Sequence, residues 1–169
     1  MSRIQAPAAV ETHSIPPFFG SDSQILILGS FPSVKSRESG FYYGHPQNRF
    51  WSVTAAVFGC STPHTVEEKK LFLESNQIAL WDVIASCEIK GSSDSSIQNA
   101  LPNDLGIILE HCTIHKIFIN GKTAERLYWK YLFPQTGREV VCLPSTSPAN
   151  AAWSLPRLIE AWSVLREET

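Results

Sequence analysis

Apolar residues gather in four short blocks along the chain, at positions 25–28, 78–84, 116–120 and 139–143. Within each block they are nearly continuous rather than alternating. An alternating strand has one wet face, whereas an unbroken run marks a strand covered on both faces, as in a parallel sheet. The stretches between the blocks carry helical spacing. Positions 48–58 are apolar at Phe50, Trp51, Val53, Val57 and Phe58. Positions 66–75 open after Thr65 with Glu67 and Glu68 in the first turn, where the helix dipole favours acids. Positions 104–111 and 121–132 read as two more helices, and 155–166 set Leu155, Leu158, Ile159, Trp162 and Leu165 on one face. Strands alternating with helices predict an α/β fold, a three-layer α/β/α sandwich around a central, mainly parallel four-stranded sheet. Residues 1–23, with Pro7, Pro16, Pro17 and Gly20, are expected to form an irregular lead-in, residues 24–169 a single domain, and the Ser-rich positions 91–96 one loop.

Ligands of open parallel sheets bind outside the carboxyl ends of the strands. The chemistry should therefore follow Leu28, Trp81, Ile119 and Leu143. After the first block comes Gly29-Ser30-Phe31-Pro32-Ser33, a turn whose glycine lets backbone approach a ligand. Gly40-Phe41-Tyr42-Tyr43-Gly44-His45-Pro46-Gln47-Asn48-Arg49-Phe50-Trp51 continues it. Phe50 and Trp51 fall on the apolar helix face and read as core. Tyr42 and Tyr43 stay open between core packing and stacking on a flat substrate, because a ring with a polar tip suits either. Asn48, just past Pro46, reads by itself as a helix N-cap, and His45 as a hydrogen-bonded turn residue. Asp82 interrupts the second block; a carboxylate at the end of a buried strand needs partners, either loop amides or a substrate N–H. Asn120-Gly121-Lys122 reads as a plain strand-to-helix turn. The fourth block leads into Pro144-Ser145-Thr146-Ser147-Pro148-Ala149-Asn150, small hydroxyl and proline residues that offer donors to phosphates.

Composition narrows the classes. The chain has 169 residues, 43% of them apolar, enough for one real core and too apolar for wholesale disorder. No apolar run approaches the roughly 18 residues of a membrane span, and positions 1–11 lack a signal-peptide core, so a cytoplasmic protein is expected. Cys60, Cys87, Cys112 and Cys142 are scattered without a C-x2-C pair, and Cys112 with His115 has no second pair to complete a site. Reduced thiols, no metal and no cofactor are the expectation. The net charge of −2 argues at first against a nucleic-acid partner.

Gly29 to Ser33, followed by Phe41 to Trp51, resembles the first motif block of the uracil-DNA glycosylase superfamily, and the second part is similar to bacterial mismatch-specific members. Residues 144–150 stand where that superfamily has its DNA-intercalating loop. Two positions depart from the commonest pattern: Phe31 occupies the place of a water-positioning Asp or Asn, and Leu143 the place of a His or Asn before Pro144-Ser145. A Gly-Ser first motif with an asparagine in the His-Pro-x-Asn segment is similar to the hypoxanthine-DNA glycosylase branch, and the resemblance puts the catalytic role on Asn48.

What the resemblance implies is a monofunctional DNA glycosylase, probing DNA as a monomer and releasing hypoxanthine or uracil from a flipped nucleotide. Extrusion costs a few kcal/mol. Ser145, Thr146, Ser147, Pro148, Ala149 and Asn150 would enter the minor groove, and Tyr42 or Tyr43 would stack on the base. Gly29, Ser30, Phe31 and Pro32 would line the sugar side. Asn48 would orient a water and stabilise the cationic sugar by its carbonyl dipole, His45 would donate to the leaving base, and Asp82 would either read the base or serve structure. Two rivals are a serine-type hydrolase using Ser30, a histidine such as His115, and Asp82, and a non-catalytic binder of damaged bases. Lys35, Arg37 and Arg49 against Glu38 make the first motif region locally +2. A net charge of −2 then permits a protein that touches few phosphates, with weak non-specific affinity and a shallow salt slope.

Overall fold

The computed structural model describes residues 9–89 and 98–167; the Ser-rich positions 91–96 lie outside them. Among the described residues the strands are β1 (Ala9–Thr12), β2 (Ile25–Gly29), β3 (Ile78–Asp82), β4 (Ile84–Ile89), β5 (Gln98–Pro102), β6 (Lys116–Asn120) and β7 (Val141–Leu143). The helices are α1 (Val34–Ser39), α2 (Phe50–Val57), α3 (Val66–Ser75), α4 (Gly106–Leu109), α5 (Lys122–Leu127), α6 (Phe133–Thr136), α7 (Leu155–Trp162) and α8 (Val164–Glu167).

The four apolar blocks pair as one parallel sheet in the order β3-β2-β6-β7. Ile25, Leu26, Ile27 and Leu28 are each 0% exposed, so β2 is covered on both faces, as its unbroken apolar run requires. Burying each of these side chains contributes about 1.5–3 kcal/mol. The register sets Gly29 beside Asp82, Leu28 beside Ile119, and Asn120 beside Leu143. All four strands therefore deliver their carboxyl ends to one edge.

A second sheet, antiparallel in the order β1-β4-β5, was not expected. Positions 78–84 do not form one strand. After Asp82 the chain leaves the parallel sheet, with Val83 N donating to Gly29 O at 2.8 Å and Ile84 N to Ser30 O at 3.1 Å. Asn103 Nδ2 braces this corner by donating to Asp82 O (2.9 Å) and Ile84 O (3.2 Å). An apolar run cannot disclose that its strand changes sheets. Nor are residues 1–23 wholly irregular: β1 pairs with β4, and Phe18 bridges Leu80 at the edge of β3. Val10 of β1 is 68% exposed, so this strand has no apolar run to announce it.

Helix α3 matches its expected span and opens with a capping box between Thr65 and Glu68. The helix expected at 121–132 continues from α5 through a π-helical turn at Tyr128–Leu132 into α6, which ends at Gly137 in the left-handed region. The C-terminal helix divides into α7 and α8. Trp162 of α7, 0% exposed, meets Phe50 of α2 edge-on at 5.8 Å, tying the start of α2 to the C-terminal helix. The short α1, capped by Ser33, has too few turns to show a period.

Candidate active site

One polar pocket opens at the carboxyl edge of the parallel sheet. Gly29, Ser30, Phe31 and Pro32 form one wall, continued by Ser33 and Ser36 of the turn into α1. Tyr42, Tyr43 and Asn48 form another, with Asp82 and Asn120 at the strand ends. Ser145, Thr146 and Ser147 close it from the loop after β7. Sequence segments more than a hundred residues apart thus meet as the strand-end argument expects.

Asn48 stands one residue before the N-cap of α2, which is Arg49 rather than Asn48. Its Oδ1 accepts from Phe50 N at 2.9 Å, holding the first turn of α2, and from Thr146 Oγ1 at 2.9 Å. Thr146 Oγ1 in turn accepts from Asn120 Nδ2 (3.0 Å), and Thr146 N donates to Asn120 Oδ1 (3.1 Å). A carbonyl oxygen has two lone pairs, so both of Asn48's are engaged. Its Nδ2 has no hydrogen-bond partner among the described residues. The chain Asn120–Thr146–Asn48 therefore fixes which end of the Asn48 amide remains for a ligand. Asn120, read from sequence as a plain turn, is a missed pocket residue; its only signal was a carboxamide closing an apolar block.

Asp82 is 3% exposed, and its partner comes from an unexpected quarter. His13 Nε2 lies 2.8 Å from Asp82 Oδ2, while His13 Nδ1 accepts from Ile15 N at 3.3 Å. With Nδ1 accepting, the ring proton sits on Nε2 and is donated to the carboxylate. A Cβ on Gly29 would lie 2.5 Å from Asp82 Oδ1, so glycine at this position is what lets the carboxylate lie against the strand.

The two tyrosines separate cleanly. Tyr42 is 2% exposed, donates its hydroxyl to Pro16 O at 2.9 Å, and has its phenol pushed far up by burial and by the nearby Asp82 charge. It reaches the pocket but offers no open ring face. Tyr43 is half-buried, stacked on Phe50 at 4.0 Å, and holds a left-handed φ of 53°. That conformation costs a non-glycine residue about 1–2 kcal/mol, sustained here by the stack. Phe31 is the other half-buried ring on the wall, edge-on to His13 at 5.9 Å.

The family model described as the uracil DNA glycosylase superfamily matches residues 16–166. The chain belongs to the uracil DNA glycosylase superfamily. Within reach of it is a Methanosarcina acetivorans protein named hypoxanthine DNA glycosylase, 36% identical over 153 residues, covering 89% of this chain and 96% of the relative. A Methanosarcina barkeri protein of the same name is 29% identical over 143 residues, covering 83% and 89%. A solution NMR structure of a candidate uracil DNA glycosylase from Methanosarcina acetivorans superposes with a TM-score of 0.79 at 34% identity, over 94% of this chain and 98% of that one.

In this superfamily member the loop after β7 divides in two. Thr146 is 0% exposed and Ser145 and Ser147 face the pocket, so these three do not form an inserting tip. Pro148 and Ala149 are exposed and lie outside the pocket lining. Asn150 Nδ2 donates back to Ser145 O at 2.9 Å and braces the loop from within. Arg49 clamps it from outside, donating to the carbonyls of Trp153, of Asn150 (3.0 Å) and of Ser147 (3.4 Å).

The same clamp revises the local charge. Arg37 pairs with Glu11 at 2.7 Å and Lys35 with Glu38 at 3.6 Å. Folding brings Glu11 into the neighbourhood, so the region carries one net positive charge, and Arg49 spends it on loop carbonyls. His45 is not in the pocket lining either: its Nδ1 accepts from Gln47 N at 3.1 Å, making it a turn residue. The serine-hydrolase arrangement fails on topology. His115 is exposed and precedes β6 at its amino end, about 13–16 Å from the opposite end by strand rise. His13, near Asp82, has both ring nitrogens engaged and leaves no base for Ser30. Among the described residues no three His, Cys, Asp or Glu side chains gather as metal ligands.

Proposed function

We propose that this chain is a monofunctional DNA glycosylase that hydrolyses the N-glycosidic bond of hypoxanthine, with Asn48 as its catalytic residue. Superfamily membership makes it a hydrolase of N-glycosyl bonds acting on deaminated bases in DNA; the two relatives named hypoxanthine DNA glycosylase support the particular base. The observation that carries the role of Asn48 is its saturated carbonyl oxygen. The group left for chemistry is the amide NH2. It serves as a fixed donor toward the leaving base as negative charge builds on it; the C1′–N bond breaks, water adds to C1′, and the proton that the water gives up ends on the released base. Fixed donors of this kind lower a barrier without reorganising at the moment of reaction, and losing one costs about 100- to 1000-fold in rate. Thr146 and Asn120 hold that donor and pay its orientation in advance.

The flipped base would lie against the half-buried rings of Phe31 and Tyr43, with its lactam N–H on Asp82. The exposed Pro148 and Ala149 would meet the DNA groove. With Lys35, Arg37 and Arg49 of the first motif region paired or clamped, the site makes few phosphate contacts, and the protein acts as a monomer. Four cysteines scattered without close pairs along 169 residues suit a reducing compartment such as the cytoplasm. Among the described residues no helix is long and apolar enough to cross a membrane.

Asn48→Asp tests the mechanism. The variant retains an oxygen for Phe50 N and Thr146, and loses the NH2 donor to the leaving base. Single-turnover release of hypoxanthine should fall by at least about 100-fold. Wild-type or faster release would show that Asn48 activates water through an oxygen. Unchanged release in Asn48→Ala would remove it from the mechanism altogether.

A further inference from the structure

We infer that His13 is a positioning residue for base recognition, holding the Asp82 carboxylate so that its other oxygen accepts the lactam N–H of the flipped base. This rests on the base-excision reading above and extends it to a residue outside positions 16–166, the span the family model matches. The His13 and Asp82 side chains are 3% and 5% exposed. Ile15 N on one ring nitrogen and Asp82 Oδ2 on the other fix the imidazole at both ends. The strand that carries it is fixed as well: β1 pairs with β4, His13 N donates to Ala85 O at 2.6 Å, and Glu11 is bound to Arg37 at 2.7 Å.

A carboxylate held at one oxygen cannot turn. Oδ1 is confined against Gly29, where a Cβ would come within 2.5 Å of it, at the wall of the pocket. Position 1 of hypoxanthine is an N–H donor, which a carboxylate oxygen accepts. Position 1 of adenine is a lone pair, which the same oxygen repels. A fixed carboxylate thus favours the deaminated purine and rejects the normal one, since a buried acceptor facing an acceptor is left unpaired. His13 contributes to that selection without touching the base.

The test is single-turnover release of hypoxanthine from duplex DNA by wild type, His13→Ala, His13→Gln, Asp82→Asn and the His13→Ala/Asp82→Asn pair, with thermal melting of each protein. His13→Ala should slow release roughly 10- to 100-fold, the range expected for one lost hydrogen bond to a charged group, with duplex affinity unchanged. His13→Gln, whose amide can donate to Oδ2, should recover most of the rate. In the Asp82→Asn background His13→Ala should add nothing, because its effect passes through the carboxylate. Wild-type release by His13→Ala, multiplicative losses in the pair, or a loss that tracks melting and is not rescued by glutamine would each overturn the inference. A wild type that releases no hypoxanthine overturns the base-excision reading and this inference with it; an active wild type beside an indifferent His13→Ala overturns this inference alone.

Discussion

Strand β2, at the centre of the parallel sheet, has four successive side chains at 0% exposure, while Leu101 in β5 of the antiparallel sheet stands 63% exposed. Both sheets nevertheless reach the same pocket. The parallel sheet supplies it through strand ends: Gly29, Asp82 and Asn120 are where β2, β3 and β6 stop. The antiparallel sheet supplies it sideways, by carrying His13 to Asp82 and by bracing the corner through Asn103. One sheet is stabilised by burial and presents groups wherever its strands end. The other is thin and half-wet, and its contribution consists of a few directed hydrogen bonds. Burial is divided among many side chains; the directed bonds depend on single atoms.

The contrast can be broken first by stability. Leu28→Ala should lower the unfolding free energy by about 2–5 kcal/mol, a buried truncation that leaves a cavity. Leu101→Ala should stay within about 0.5 kcal/mol, as an exposed change does. Urea unfolding of both variants measures the gap, and equal losses would mean that the antiparallel sheet is as much core as the parallel one.

Gly29→Ala probes the junction between the sheets. The added methyl must displace Asp82 Oδ1, on a carboxylate that His13 holds by its Oδ2. Overpacking of this kind costs about 1–3 kcal/mol, and hypoxanthine release should fall much further than stability does. If release survives, the carboxylate has room to move and is not held as described.

Asn103→Ala leaves the carbonyls of Asp82 and Ile84 without their side-chain donor in a buried corner. A loss of about 1–3 kcal/mol is expected, with faster amide exchange at Val83 and Ile84 before any change in β2. Exchange that accelerates equally in both sheets would show that the corner is not a separate element.

Thiol labelling gives the mildest probe, at the thin outer edge of the parallel sheet. Burial and the neighbouring Glu125 push the Cys142 thiol in β7 up to about 11. The thiolate is the reactive form, so below that pH Cys142 should alkylate far more slowly than the exposed Cys60, and the difference should shrink as pH approaches 11. Mass-spectrometric labelling at two pH values reads it directly.

The parallel sheet and α3 were legible in the chain because each repeats one physical requirement over several residues: continuous apolarity for a doubly covered strand, a capped start for a helix. The pocket's position followed from the same requirement, since strand ends are where side chains leave the core. Gly29 to Pro32, Tyr43, Asn48, Asp82 and Ser145 to Ser147 all line it. Tyr42 was not resolved in advance, because a tyrosine packs or stacks with equal ease until its hydroxyl finds Pro16 O. His45 stands outside the pocket lining and Asn120 within it, for the complementary reason. Motif position favoured the histidine, and the bland turn hid the asparagine that holds Thr146.

By itself the sequence determined which segments had to be buried, where their ends would lie, and that an asparagine, an aspartate and aromatic rings would gather there. Those properties come from local composition and period, which no partner needs to supply. Only the tertiary structure decided that Phe50 N and Thr146 Oγ1 both take the Asn48 carbonyl oxygen, that Arg49 donates to the carbonyls of the loop after β7, and that His13 reaches Asp82 across 69 residues. Each of these rests on directed contacts between distant segments. A hydrogen bond has no period, and nothing along the chain foretells its partner.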